Sequence, residues 1–262
     1  MLFRSIKAAI PTLAGNIAAT INTPGAECFS ADDEQFIKFH GIYQQDDRDL
    51  RKSGKKHMMM IRGRIPGGIM TPGQWIAFDD LASTYGNNTL RITTRQSIQF
   101  HGVVMSGLGA VVKRINDCLL STLAACGDVN RNVMASPAPV QTAARACMIQ
   151  DVHRVVAALA PKTNAYHAIW IDGVQLNLES GENKGFVDPL YGATYLPRKF
   201  KTAFALPEDN CVDVYANDLG FLTVHENGRI LGYNVLAGGG MGVTPSAAKT
   251  FPALAKIGRA HV

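Results

Sequence analysis

The sequence predicts a mixed fold of strands and helices, α/β or α+β, and three observations carry that expectation. Extended and helical patterns alternate before residue 130 in the order strand, helix, strand, helix. A stretch of prolines and small residues, MASPAPVQ (Met134–Gln141), interrupts the periodic segments and marks a boundary. Beyond it a helical segment is followed by two alternating strands joined through Asn227-Gly228, a pair that tolerates positive φ at both turn positions.

The first 26 residues contain no acid but include Arg4 and Lys7, which reads as a basic amphipathic helix, with a transit peptide as the alternative. FIKFHGIYQQ (Phe36–Gln45) reads as a strand, and HMMMIRGRIPGG as a second one stopped by Pro66, Gly67 and Gly68. TPGQWIAFDDLASTYG is a helix with Thr71 as N-cap, Pro72 at its first position and Gly86 past its end, burying Ile76, Leu81 and Tyr85. RITTRQSIQFHG (Arg91–Gly102) reads as one strand, followed by a helix over 110–125 that ends at Gly127. A helix over 142–159, a strand AYHAIWID, a loop over 177–192 and the hairpin FLTVHENGRILGYNVL complete the order, and AGGGMG breaks the last pattern.

With 262 residues, 47% of them hydrophobic and 18% charged, the chain is expected to bury a sizeable core in one large domain or two modest ones. The net charge of +5 is mild, and the one dense basic run, RKSGKKH (Arg51–His57), reads as a solvated loop, so nucleic-acid binding is not expected. Cys28, Cys118, Cys126, Cys147 and Cys211 are widely spaced with no CxxC pair, which fits a reducing cytoplasm and no metal site built by this chain alone. No apolar run is long enough to span a membrane.

Four segments share cationic groups at strand spacing or at a loop tip. MIRGRIPGG places Arg62 and Arg64 on one strand face, and RITTRQSIQFHG places Arg91, Thr93, Arg95, Ser97, Gln99 and His101 on one face. GDVNRNV sets Arg131 between Asn130 and Asn132, and YLPRKFKTAF offers Lys199 and Lys201 on one side with Arg198 on the other. Converging cations repel by roughly 4 kcal/mol per pair at 4 Å and a dielectric near 20, so a pocket built from them asks for a polyanionic ligand. Arginine forks match carboxylates and oxyanions, and lysine supplies a compact charge with protons to give. Taken one at a time, the strand face and PRKFK read rather as solvated surface and His101 as a hydrogen-bonded structural residue.

KFHGIYQQDDRD, RGRIPGG, RITTRQSIQFHG, GDVNRNVMASPAP, TYLPRKFKTAF and YNVLAGGG, in this order and approximate spacing, resemble the sirohaem-dependent nitrite/sulfite reductases, on the assimilatory sulfite-reducing side. The resemblance covers about Phe36–Gly242 and corresponds to the N-terminal half of the family's length. It implies a ferredoxin-like half-domain over 36–135 with a mixed or antiparallel sheet, after an N-terminal arm over 1–35. An incomplete α/β sirohaem- and substrate-binding domain is expected to follow over 136–250. The last seven residues, KIGRAHV (256–262), read from their own sequence as a non-native tail.

The same resemblance implies six-electron reduction of sulfite to sulfide with sirohaem and a 4Fe-4S cluster, the electrons coming from a flavoprotein subunit or a ferredoxin. It assigns Arg62, Arg131, Lys199 and Lys201 to the substrate anion. It assigns Arg91, Thr93, Arg95, Gln99, His101, Asn130, Arg64 and Arg198 to the many-carboxylate tetrapyrrole or its surroundings. The family's cluster cysteines, spaced CxxxxxC and CxxxC, do not occur here, so the chain alone is expected to lack the cluster and to be inactive. Ferredoxin-dependent nitrite reduction and a non-catalytic tetrapyrrole- or anion-binding module are the alternatives. A cytoplasmic location is expected, or an organelle if the N-terminus is a transit peptide.

Overall fold

A computed structural model describes residues 2–46, 54, 56–171, 185–243 and 249–258. In chain order the elements are α1 (Leu2–Ala9), α2 (Ile17–Asn22), α3 (Asp33–Phe39), β1 (Ile42–Asp46), β2 (His57–Arg62), α4 (Pro72–Tyr85), β3 (Leu90–Ile92), β4 (Ile98–Val103) and α5 (Leu108–Asp117). Then come α6 (Ala143–Ala158), α7 (Ala165–Trp170), β5 (Thr202–Ala205), β6 (Leu219–Glu226), β7 (Arg229–Ala237) and β8 (Lys256–Ile257). Two compact units result. The first takes residues 1–65, 70–129 and 160–199, the second 66–69, 130–159 and 200–262.

In the first unit an antiparallel sheet runs in the order β1-β2-β4-β3. Its inward face carries Ile42, Met59, Ile61, Ile98 and Phe100, which pack with Phe78 and Leu81 of α4 and Val111, Val112 and Ile115 of α5 in one core. Between β2 and β4 the register slips at a β-bulge near His101 and Gly102, where φ of +80° at Gly102 suits glycine. The α4 N-terminus forms as its sequence dictates: Gln74 N–H donates to Thr71 Oγ1 at 3.2 Å, and Gln74 Oε1 accepts from Thr71 N–H at 2.9 Å. Thr71→Ala should therefore cost about 1 kcal/mol, read as a lower urea midpoint at unchanged m-value.

Several expected elements differ from those observed. Phe36–Phe39 belongs to α3, not to a strand: Asp33 and Glu34 fill its first turn, Lys38 its last, and Phe36, Ile37 and Phe39 are buried. Gly41, at φ +82°, then turns the chain into β1. AYHAIWID is helical over α7, because burial falls on Ala165, Tyr166, Ile169 and Trp170, a helix spacing and not an alternation. The buried side of α4 is Ala77, Phe78, Leu81 and Ala82, while Ile76 is 59% exposed and Tyr85 is also on the exposed side. The helix expected to reach Ala125 ends at Asp117, and Leu119 and Ala124 adopt positive φ in the turns that follow.

Arg91–Gly102 is a hairpin and not one strand. Thr93 N–H donates to Ser97 O at 2.8 Å, and the Thr93 hydroxyl accepts from Arg95 N–H (3.3 Å) and Ser97 N–H (3.2 Å). With Gln96 at φ +54°, these bonds fold residues 93–97 into a turn between β3 and β4.

The second unit is a mixed sheet, β5-β6-β7-β8, with β5 and β6 parallel and the other pairs antiparallel. β6 and β7 join through Asn227 (φ +52°) and Gly228 (φ +79°), the turn the sequence predicts. Phe204 stacks on Phe221 and both meet Tyr233 edge-on, beside Met148 and Val152 of α6, and Tyr233 O–H donates to Asp151 at 2.6 Å. The glycine run after β7 is a packing device: a Cβ on Gly239 would strike the backbone oxygens of Tyr215 and Asn217. Residues 51–53 and 55 of the basic run Arg51–His57, and the first half of the loop over 177–192, lie outside the described residues. Among the described residues, no helix is long and apolar enough to cross a membrane.

Candidate functional site

The sheet of the first unit has a second face, and its chemistry follows from register. Met59 and Ile61 face the core on β2, so Met60 and Arg62 take the opposite face; Ile98 and Phe100 face the core on β4, so Gln99 takes the opposite face too, where Met60 and Gln99 are themselves buried. Arg62 pairs with Gln99, and Gln99 with Arg91, which draws one polar row across β2, β4 and β3. The Gln99 amide satisfies both of its neighbours with its oxygen toward Arg62 and its nitrogen toward His101. It then accepts from Arg62 Nε at 3.0 Å and from Nη2, and donates to His101 Nε2 at 3.2 Å. Arg62 Nη1 in turn donates to Cys126 Sγ at 3.1 Å, with Ala125 O at 3.4 Å.

This row is electrostatically one-sided. Among the described residues no carboxylate lies within ion-pair distance of Arg62 or Arg91. His101 titrates below its ordinary value, first through burial and then through the nearby charges of Arg91 and Arg62. Its Nε2 accepts from Gln99, so the neutral ring carries its proton on Nδ1. A face with two fixed guanidinium groups, an amide and a neutral imidazole is a receptor for anionic oxygen.

The remaining residues of the first unit take varied positions. Thr93 and Arg95 lie in the 93–97 turn, with Arg95 half-buried. The Thr93 hydroxyl accepts two backbone N–H groups there and shapes the turn. Arg64 lies beyond β2, bridged to Ser121 through its backbone, and burial pulls its guanidinium down to about 10, partly offset by Tyr191. Arg198 and Lys199 are exposed on the segment that follows Tyr195.

In the second unit two chain segments run side by side, with bridges Asn130–Phe200 and Met134–Ala203. Arg131 N–H donates to Phe200 O at 2.8 Å and Asn130 Nδ2 to Thr202 Oγ1 at 2.5 Å. Lys201 N–H donates to Asp218 Oδ2 at 2.7 Å. Arg131 and Lys201 thus stand on neighbouring strands of chain, Arg131 only 9% exposed and Lys201 half-buried.

Sequence reasoning missed Cys126 as a partner of Arg62. The signal was its place in ACGDVNRN, five residues before Arg131, but nothing local says which arginine a buried thiol meets. Among the described residues, no three His, Cys, Asp or Glu side chains group as a metal site.

Comparison with known proteins agrees with this architecture. Residues 51–118 match the nitrite/sulfite reductase ferredoxin-like half domain, and residues 151–261 match the nitrite and sulphite reductase 4Fe-4S domain. The chain is 45% identical over 258 residues to the sulfite reductase [NADPH] hemoprotein beta-component of Xanthomonas campestris, covering 96% of this chain and 45% of that protein. The protein of the same description from Methylobacterium sp. (strain 4-46) is 48% identical over 259 residues, covering 96% and 42%. The chain therefore spans less than half the length of these curated relatives. The solved NirA protein of Mycobacterium tuberculosis superposes with a TM-score of 0.69 at 20% identity, over 97% of this chain and 42% of that one, and so shares the fold. With two of the family's domains in sequence and close identity to its members along almost the whole chain, this protein belongs to the nitrite and sulphite reductase family.

Proposed function

We propose that this chain supplies the cationic, sirohaem- and sulfite-gripping part of a sulfite reductase haemoprotein. The observation that carries the reading is the row Arg62–Gln99–Arg91 with His101 beside it: positive charge that, among the described residues, has no carboxylate within ion-pair distance of either arginine. A tetrapyrrole rimmed with carboxylates fits that face, and the relatives described as sulfite reductase haemoproteins favour sulfite over nitrite as the substrate. When bound, sirohaem and a 4Fe-4S cluster supply the iron and the electron path.

The chain's own residues bind and orient. Arg91 and Arg95, with Gln99, His101 and Asn130, hold carboxylates of the macrocycle, Thr93 fixes the turn that presents Arg95, and Arg64 and Arg198 support the rim. Arg62, Arg131, Lys199 and Lys201 hold the oxygens of sulfite, offsetting charge as those oxygens leave. The lysines give protons to each leaving oxygen, which departs as water. Electrons arrive from a flavoprotein subunit or a ferredoxin.

The test is titration of the purified chain with sirohaem, followed by Soret absorption, and then addition of sulfite or nitrite. Saturable binding near one equivalent and a spectral response to sulfite at lower concentration than to nitrite are expected. Absence of sirohaem binding overturns the proposal. Sirohaem binding with no response to either anion leaves a tetrapyrrole module in its place.

A further inference from the structure

Lys7 lies on the N-terminal helix α1, where its sequence suggests a solvated basic face. Instead it is only 2% exposed. Its Nζ donates to Asp128 Oδ2 at 3.0 Å and to Leu196 O at 3.2 Å, and lies 5.7 Å from the centroid of the Phe39 ring. Leu196 N–H donates to Asp128 O at 3.1 Å, so one ammonium closes a junction between segments 121 and 189 residues away from it. A second tie comes from the same arm, Tyr195 O–H donating to Pro11 O at 2.8 Å.

An ammonium withdrawn from water is costly unless its charge and its protons are answered, and an apolar side chain fills such a volume without that cost. What the ammonium provides and an apolar group does not is direction, because its acceptors belong to two different loops. Both loops lead into cations of the proposed anion site. Ala124 N–H is fastened to Phe39 O at 2.8 Å, Ala125 O and Cys126 Sγ receive the Arg62 guanidinium, and Gly127 packs so closely on Phe39 that a Cβ would lie 2.9 Å from the ring. Asp128 follows directly, and Arg131 comes three residues later in the chain. The other loop passes from Tyr195 and Leu196 to Lys199.

We propose that Lys7 is a positioning residue that locks the 124–128 and 195–199 segments to each other and so fixes Arg62 and Lys199 for oxyanion binding. On this reading the N-terminal helix is a working part of the anion site. The proposal rests on the proposed function for its anion, while the clamp itself is measurable without any ligand.

The experiment uses the full chain as wild type, Lys7→Met, Lys7→Arg and Asp128→Asn, each confirmed folded by near-ultraviolet circular dichroism. Hydrogen–deuterium exchange is read by mass spectrometry, and sulfite affinity by the Soret shift of the sirohaem-loaded protein. Lys7→Met and Asp128→Asn should speed exchange about tenfold in peptides covering 124–131 and 194–201 while leaving β4 unchanged. Both should weaken sulfite binding about tenfold, and Lys7→Arg should restore both properties. Unchanged exchange in those peptides, or faster exchange with wild-type sulfite affinity, overturns the proposal. Should Lys7→Met fail to fold, Asp128→Asn carries the same comparison. A wild-type chain that binds no sulfite overturns the functional reading and with it the anion role of Lys7, and the exchange rates then decide the clamp alone.

Discussion

Replacing Arg62 by methionine is expected to weaken sulfite binding by the sirohaem-loaded protein about 100-fold, a loss of about 2.7 kcal/mol. The guanidinium is held by Gln99 on one side and by Cys126 on the other, so it meets an oxyanion without first giving up much side-chain freedom. Arg62→Lys should recover only part of the loss, because an ammonium reproduces the charge but not the forked contact with the Gln99 oxygen. A ligand-free readout accompanies the binding measurement. Arg62 is one of the charges that hold His101 below its ordinary titration range, so the His101 ring followed by NMR should titrate at higher pH in Arg62→Met. A His101 titration indistinguishable from wild type, together with unchanged sulfite affinity, would remove Arg62 from the site.

Acid sensitivity centred on His40 is the second large effect. This ring is fully buried; its Nε2–H donates to Leu13 O at 2.9 Å and its Nδ1 accepts from Trp170 Nε1–H at 2.8 Å. Both nitrogens are therefore used in the neutral form, and a second ring proton would face the indole N–H. Burial pulls His40 from 6.5 down to about 4, against a smaller upward pull from the Leu13 hydrogen bond. Above pH 6.5 the ring is neutral in both folded and unfolded chains and adds no pH dependence. Between pH 6.5 and 4 the unfolded chain takes up a proton that the native one refuses, so the stability of the native state falls as pH falls. The contribution reaches about 3 kcal/mol by pH 4. His40→Gln should be less stable at pH 7 and show a shallower decline on acidification. Urea denaturation at pH 7, 6, 5 and 4.5 checks this, and parallel curves for the two proteins would exclude His40 as the cause.

What could be read from the sequence, and what could not, divides by range of interaction. The α4 cap at Thr71 and Pro72 and the Asn227-Gly228 turn are set by residues within a few positions of one another, and both formed as read. α7 was misread because tyrosine, isoleucine and tryptophan favour strands by composition, while their burial came from partners such as His40 far away in the chain. The 93–97 turn was hidden because threonines also suit strands, and the hydroxyl bonds of Thr93 leave no periodic trace. The residue types of the candidate site were visible as types. That Arg62, Gln99 and Arg91 form one row is a matter of register between three strands, and the burial of Lys7 depends on loops more than a hundred residues distant.

The row has a metric consequence. Adjacent strands stand about 4.8 Å apart, so the roots of Arg62 and Arg91 are separated by two strand spacings, about 10 Å. Such a pair works as a caliper. Its two jaws take different guests, a small oxyanion at Arg62 and an acid group on the edge of a rigid plate at Arg91, and the backbone ladder sets the distance between the two roots.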